Sequence, residues 1–173
     1  MQVSIIIVNY NTKELIKNCI NSIYENTKDI DFEIIVSDNG STDGSVEMLK
    51  NDFPNVILIE NNANLGFGKA NNNGLKVAKG EYIFYLNSDT VLLNNAVKMF
   101  YDYWEQNFQK DKIGALGANL LNEKLKITHS GEDFPSKKKI FKDYTIDFLH
   151  ILRLSIFFML PESFSFTPPP IQK

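Results

Sequence analysis

The stretch Ser4–Asn11, which reads SIIIVNYN, is a short apolar run that ends abruptly in polar residues. Two later stretches, Glu33–Gly40 and Tyr82–Thr90, repeat this pattern. Short runs rich in Ile, Val and aromatic residues are typical of strands buried on both faces, as parallel strands are. In an open parallel sheet, ligands bind outside the carboxyl ends of the strands. The chain therefore places amides and carboxylates where a polar ligand would bind.

Segments with helical periodicity separate these apolar runs. Apolar residues recur at helix spacing after Thr12, which is suited to be an N-cap, and in three later segments. Two further strands are predicted at Val56–Ile59 and Ile113–Leu121. This alternation predicts an α/β fold, a Rossmann-like and mostly parallel sheet with helices on both faces.

The alternation weakens near residue 122, which divides the chain into two predicted regions. Residues 1–122 are expected to form the ligand-binding α/β domain. Residues 123–173 are expected to contain an apolar helix within Ile146–Leu160 and a Pro-rich tail. The apolar stretch is interrupted by charged residues and is too short to span a bilayer. A core or interfacial helix is favoured, and a partner-binding helix stays open.

Composition narrows the classes of function. The chain of 173 residues is 43% hydrophobic and 23% charged, with a net charge of −3, so it offers no basic surface for nucleic acid. Any phosphate of a ligand must be held by backbone N–H groups, single Lys residues or a metal. Cys19 is alone, and the first residues lack a signal-peptide pattern. We therefore expect a cytoplasmic protein, with Cys19 as a small core residue.

Asn87-Ser88-Asp89 comes directly after a predicted buried strand. A carboxylate there is suited to a hard divalent cation, which prefers oxygen ligands and takes others from water and substrate phosphates. A metal that bridges a diphosphate would neutralise its charge. Asp89 could equally cap the following helix. The residues alone leave both interpretations open.

Asp38 ends the second apolar run and starts a polar turn. Its carboxylate could accept hydrogen bonds from a base or a ribose hydroxyl, and the alternative is an Asx-turn. Turn chemistry does not explain a second acid, Asp43, so a functional role is favoured. Asn9-Tyr10-Asn11 offers a ring edge and amides beside a ligand, or forms a plain strand-to-helix turn.

Asn64–Lys69 resembles a phosphate-binding turn, because glycines permit close backbone approach and a helix N-terminus follows. It is neither a Walker loop nor a dinucleotide-binding motif, so the signal is weak by itself. His129 could contact a phosphate or a metal, although an exposed loop histidine is favoured.

Together, four segments resemble the donor half of inverting glycosyltransferases of family 2, which have the GT-A fold. These segments follow the expected order: Val3–Asn11, Ile34–Ser45, Asn61–Lys69 and Glu81–Thr90. Asn87-Ser88-Asp89 is similar to the Asn-x-Asp version of the Asp-x-Asp motif in rhamnosyltransferase-like enzymes of bacterial surface polysaccharide synthesis. Asn87 stands in place of the first acid, which removes one negative charge from the metal site.

The resemblance implies transfer of a sugar, with inversion, from a UDP- or dTDP-sugar to a glycan or lipid-linked acceptor. Asp38 would bind the base, Tyr10 would line the nucleotide pocket, and Asp89 would hold Mg²⁺ or Mn²⁺. Acceptors of this kind also allow peripheral association with the inner face of the cell membrane. The nucleotide-sugar site implied in this way comprises Asn9, Tyr10, Asn11, Asp38, Asn64, Gly66, Lys69, Asn87 and Ser88, with Asp89 on the metal.

Members of the family are usually longer and carry an acceptor half with an acidic general base, which takes the proton of the acceptor hydroxyl. No segment of this chain resembles that half, and Glu132, Asp133 and Asp143 read as solvated loop charges. We therefore expect a truncated transferase whose catalytic base is unassigned. The alternative is a catalytically weak or inactive donor-binding module that docks on a partner or a membrane surface.

Overall fold

The computed structural model describes residues 1–106, 115–118, 121–122, 124–127 and 156–159. Six strands and four helices lie in these residues. The strands are β1 (Val3–Asn9), β2 (Phe32–Asp38), β3 (Ile57–Glu60), β4 (Tyr82–Asn87), β5 (Ala115–Leu116) and β6 (Ile156–Met159). The helices are α1 (Lys13–Asn26), α2 (Ser45–Asp52), α3 (Phe67–Val77) and α4 (Ala96–Gln106).

All six strands form one sheet in the order β3-β2-β1-β4-β6-β5. The first four are parallel to one another, whereas β6 runs antiparallel to both β4 and β5. Strand β1 lies between β2 and β4, and its Ile residues are fully buried. The predicted Rossmann-like, mostly parallel sheet is confirmed.

Successive residues of β1 serve opposite faces of the sheet, as the period of a strand requires. Ile5 and Ile7 belong to the core that packs against α1, α2 and α4. Ile6 belongs to a smaller cluster on the other face, where Leu75 of α3 and the adjacent Ala78 pack. Helices therefore lie on both faces, and this arrangement explains why β1 is apolar without alternation.

One sequence prediction is wrong for four residues. Within Ile146–Leu160, where a helix is predicted, the described residues Ile156–Met159 form strand β6. They pair with Ile83–Leu86 of β4, whose backbone groups would otherwise form an unpaired sheet edge. Strand β6 thus joins the sheet of the first predicted region from beyond residue 122. Other predictions for the second half lie outside the described residues, including those on His129, Glu132, Asp133, Asp143 and the Pro-rich tail.

No helix in the described part of the chain is both long and apolar enough to cross a bilayer.

The closeness of α3 to the sheet generates a stability prediction. A Cβ on Gly74 would lie 2.6 Å from Ile6 Cγ2, a branched side chain that cannot swing away, so Gly74→Ala should destabilise the fold by about 1–3 kcal/mol. A Cβ on Gly68, in the same helix, would meet nothing within 4 Å, so Gly68→Ala should stabilise by about 0.5–1 kcal/mol. Urea unfolding of both variants measures the difference. Equal stability of the two variants would contradict this packing.

Candidate functional site at the carboxyl edge of the sheet

The carboxyl ends of three strands meet at one edge of the sheet. Asn9 of β1 lies opposite Asp38 of β2, and Val8 lies opposite Asn87 of β4. Neighbouring strands are about 4.8 Å apart, so β2 and β4 end about 10 Å from each other. The residues predicted to share one edge are therefore brought together there.

Asp38 is 1% exposed and accepts four hydrogen bonds. Its Oδ1 accepts from Asn9 Nδ2 (2.7 Å) and Ser41 Oγ (2.6 Å), and its Oδ2 accepts from the N–H groups of Gly40 (3.0 Å) and Ser41 (2.8 Å). The bond from Gly40 is the Asx-turn that the sequence left open. The contact of Asp38 with a base stays a prediction. For that contact, a ligand must either replace one of these four donors or donate a further hydrogen bond to the same carboxylate.

Asn9 is fully buried and joins the ends of β1 and β2. Its Nδ2 donates to Asp38 and, over 3.0 Å, to Ser41 Oγ, while its Oδ1 accepts from Thr12 Oγ1 at 2.7 Å. Thr12 does occupy the N-cap position of α1, but its side chain caps no backbone N–H. The predicted N-cap position of Thr12 is thus observed, but its hydroxyl oxygen accepts no hydrogen bond from a backbone N–H of α1.

Asp43 supplies the missing cap. Its Oδ2 accepts from Lys13 N (2.9 Å) at the start of α1, and its Oδ1 accepts from Ser45 N (3.0 Å) at the start of α2. Slight burial would raise the pKa of Asp43, but hydrogen bonds from Ser45 and Lys13 outweigh it and lower the pKa. The second acid of the turn, which turn chemistry left unexplained in the sequence, thus holds two helix N-termini together.

Asn11 and Tyr10 form the outer surface of the β1–α1 loop. Asn11 has a φ of +54°, in the left-handed region that Asn tolerates better than most residues. Its N–H donates to Ser41 Oγ (2.9 Å), and its Oδ1 accepts from Thr42 N (2.8 Å). The Tyr10 side chain is 48% exposed. The loop therefore presents a ring to solvent while Asn11 binds it to the β2–α2 turn.

Asp89 lies in the turn after β4 and is exposed, and among the described residues nothing donates a hydrogen bond to its carboxylate. Helix α4 begins only at Ala96, so Asp89 does not cap it. The carbonyl of Asn87 accepts from Thr90 N (3.1 Å) and from the Cys19 thiol (3.6 Å). Cys19 is fully buried in the core, which confirms it as a small core residue. Burial and the negative charge of Asp89 raise the pKa of its thiol to about 12.

The β3–α3 loop approaches the same edge. Gly66, with φ +83° and ψ 159°, adopts a conformation available almost only to glycine, and its N–H donates to Asn64 Oδ1 at 3.0 Å. No side chain caps α3, and Lys69 in its first turn is exposed. The predicted phosphate-binding turn therefore has an open helix N-terminus, and its contact with phosphate stays a prediction.

Asparagine side chains that the sequence analysis did not single out connect this loop to β2. Asn61 Nδ2 donates to Ser37 Oγ (2.9 Å) and Asn39 Oδ1 (3.1 Å), and Asn73 Nδ2 donates to Asn61 Oδ1 (2.9 Å). A Cβ on Gly40 would lie 2.9 Å from Ala63 N, so glycine is needed for the close approach of the two loops. The unusual number of Asn residues after each strand was the available signal.

The donor set at this edge fits a divalent cation that a substrate helps to hold. In the described ranges no three His, Cys, Asp or Glu residues cluster as a metal site. Asp89 nevertheless offers an unengaged carboxylate, and Mg²⁺ commonly binds through one or two carboxylates plus substrate phosphates.

The sequence model for "Glycosyl transferase family 2" matches residues 4–161. The chain belongs to glycosyl transferase family 2. This match confirms the predicted family, and superposition on the structures of TarS and PcManGT confirms the predicted GT-A fold.

Relatives of this family 2 chain are considerably longer. It is 33% identical over 150 residues to the poly(ribitol-phosphate) beta-glucosyltransferase of Bacillus spizizenii. The aligned region covers 82% of this chain and 24% of the relative. Staphylococcus aureus TarS residues 1–349 in complex with UDP superimpose with a TM-score of 0.55 at 26% identity, over 61% of this chain and 32% of that chain. The mannosyltransferase PcManGT from Pyrobaculum calidifontis in complex with GDP-Man and Mn²⁺ gives a TM-score of 0.58 at 25% identity, over 70% and 36%.

The Asp43 contacts predict a pH-dependent contribution to stability. Because its folded pKa is lowered, Asp43 stabilises the fold above its unfolded pKa of about 3.9, and this contribution is lost as the pH falls through the folded value. Asp43→Asn should therefore lower the Tm at pH 7, and this difference should shrink progressively as the pH falls below about 3.9. Asp29→Asn is the control, since Asp29 is exposed and Asn tolerates its φ of +58°. A Tm difference that does not shrink in acid would contradict the assignment.

Proposed function

We propose that this chain forms the donor-binding half of an inverting, metal-assisted glycosyltransferase, which takes a sugar from a nucleoside-diphosphate donor. The observation that carries the proposal is the pairing of an exposed, unengaged carboxylate, Asp89, with a hydrogen-bonded loop around Asp38. The two lie at one edge of the sheet, after strands β2 and β4, whose ends are about 10 Å apart by strand spacing. That separation matches the need to hold a nucleoside at one end and its diphosphate at the other.

The nucleoside end is formed by the loops after β1 and β2. Tyr10 offers its exposed ring beside a base, and Asn11 keeps the loop in place through Ser41 and Thr42. Asp38 accepts from the base or ribose while it holds the turn. Asn9 is buried, so its contribution is to join these loops.

The diphosphate end has little positive charge to draw on. The chain has a net charge of −3, so the phosphates must be neutralised locally. Lys69 and the uncapped N-terminus of α3 supply positive potential, with Asn64 and Gly66 shaping the approach. Mg²⁺ or Mn²⁺ held between Asp89 and the diphosphate would stabilise the leaving nucleoside diphosphate.

Asn87 has an uncharged amide where the stricter motif has an acid, so a bound cation gains attraction from one carboxylate, Asp89. We therefore propose that the donor supplies most of the coordination and that the free protein binds the metal weakly. UDP in the TarS complex, and GDP-Man with Mn²⁺ in PcManGT, support this arrangement. The rhamnosyltransferase-like specificity inferred from Asn87-Ser88-Asp89 stays a prediction, as do the lipid-linked or glycan acceptor and a cytoplasmic, membrane-face location.

A donor-binding module without transfer activity is the second candidate. Among the described acids at the ends of β1, β2 and β4, both Asp38 and Asp43 are engaged as acceptors, which leaves Asp89 for the metal and no carboxylate for a base. Transfer and binding are separated by incubating the chain with a labelled UDP-sugar and a glycan acceptor. Acceptor-dependent release of UDP would support the enzyme. Binding of the UDP-sugar without release of UDP would support the module.

Asp89→Asn should abolish the gain in UDP affinity that Mn²⁺ provides, with a loss of about tenfold or more, because the amide removes the negative charge that attracts the metal. Affinity without metal should not change. Calorimetric titration of UDP with and without Mn²⁺ measures both quantities. Glu81→Gln is the control, because Glu81 is an exposed acid at the opposite end of β4. An undiminished Mn²⁺ effect in Asp89→Asn would remove the metal role.

Asp38→Asn should weaken the binding of UDP about tenfold both with and without Mn²⁺, since hydrogen bonds to a charged acceptor contribute about 1.5–3 kcal/mol. A panel of nucleoside diphosphates would show which base the loop accepts. Asp31→Asn is the matched control, because Asp31 is an exposed acid before β2 at the opposite edge. If the variant retains the wild-type far-UV spectrum and its UDP titration is unaltered, the proposed contact between Asp38 and the nucleoside is contradicted.

A further inference from the structure

The hydroxyl of Thr12 lies between two of the strand-end loops. Its Oγ1 is 2.7 Å from Asn9 Oδ1 and 3.0 Å from Ser88 Oγ. Ser88 precedes Asp89 in the turn after β4, and Asn9 is bonded to Asp38. Thr12 thus bridges the turn that carries Asp89 and the loop that carries Asp38.

The direction of each hydrogen bond follows from counting protons. Asn9 Nδ2 uses both of its protons on Asp38 and Ser41, so the atom that faces Thr12 is the carbonyl oxygen, which only accepts. The single proton of Thr12 therefore goes to Asn9. In the contact between the two hydroxyls, Ser88 must be the donor and Thr12 the acceptor.

We infer that Thr12 is a positioning residue of the donor site: its hydroxyl sets the placement of the Ser88–Asp89 turn relative to the Asp38 loop. The inference rests on the proposed function. Hydrogen bonds run in one direction from Ser88 through Thr12 and Asn9 to the Asp38 carboxylate, and bonds aligned in this way polarise and strengthen one another.

The same proton count determines what Ser88 can offer a ligand. Because its proton is given to Thr12, Ser88 meets a ligand only as an acceptor while the chain of bonds is intact. Its oxygen then suits a cation or a sugar hydroxyl and does not donate to a phosphate oxygen. In the turn after β4, the side chains of Ser88 and Asp89 therefore both offer a ligand acceptor oxygens.

Four variants test the inference. Thr12→Val keeps the shape of the side chain and removes the hydroxyl, and Thr12→Ser keeps the hydroxyl. Ser88→Ala removes the contact between hydroxyls from the other side, together with any contact between the Ser88 oxygen and the ligand. Thr12→Val and Ser88→Ala should each reduce the Mn²⁺-dependent gain in UDP affinity about two- to tenfold, the size expected for one neutral hydrogen bond. The double variant should lose no more than the worse single variant, and Thr12→Ser should stay within about twofold of the wild type.

Additive losses in the double variant, or an equal loss in Thr12→Ser and Thr12→Val, would overturn the inference. A second readout does not need the nucleotide. In ¹⁵N spectra of the ligand-free protein, Ser88→Ala should shift the side-chain amide of Asn9 and the backbone amide of Ser41, and unchanged signals would also overturn it. If the wild type binds no UDP while these shifts occur, the proposed function fails and the connection through Thr12 stands.

Discussion

The buried hydrogen bond between the Asn9 carboxamide and the Asp38 carboxylate holds the carboxyl edge of the sheet together. The two residues lie opposite each other in the parallel pairing of β1 and β2, so the backbone register already places them in contact. A carboxylate that is 1% exposed needs partners, because burial of an unpaired charge is strongly unfavourable. Asn9, Gly40 and Ser41 provide those partners, and the two loops become one structure as a result.

The polar residues at this edge fall into two groups, those that bond to one another and those that are exposed to solvent. Asn9, Asp38 and Thr12 are engaged with one another, whereas Tyr10 and Asp89 face solvent. The apolar strands behind them hold the loops at a constant separation. A ligand that meets this edge therefore finds its contacts already placed, which lowers the entropy lost on binding.

Sequence reasoning was most successful where one physical rule dominated. Short apolar runs that are not interrupted by polar residues predicted the parallel strands, because only burial on both faces supports such runs. It was less successful for residues whose role depends on a distant partner. Asp43 had no explanation in local turn chemistry, because it caps α1 from a loop 30 residues away along the chain. Ile156–Met159 were predicted to be part of a helix, yet these residues form a strand that pairs with the otherwise open edge of β4.

The amino-acid sequence by itself determined the family, the order of the elements and the edge at which polar residues gather, since all three follow from local patterns of burial and from motifs. Only the tertiary structure decided which polar side chains bind to one another and which are left for a ligand. A hydroxyl or a carboxylate has the same donors and acceptors wherever it lies. Its partners depend on which loops the parallel register brings within 3 Å, as it does for Thr12 and Ser88.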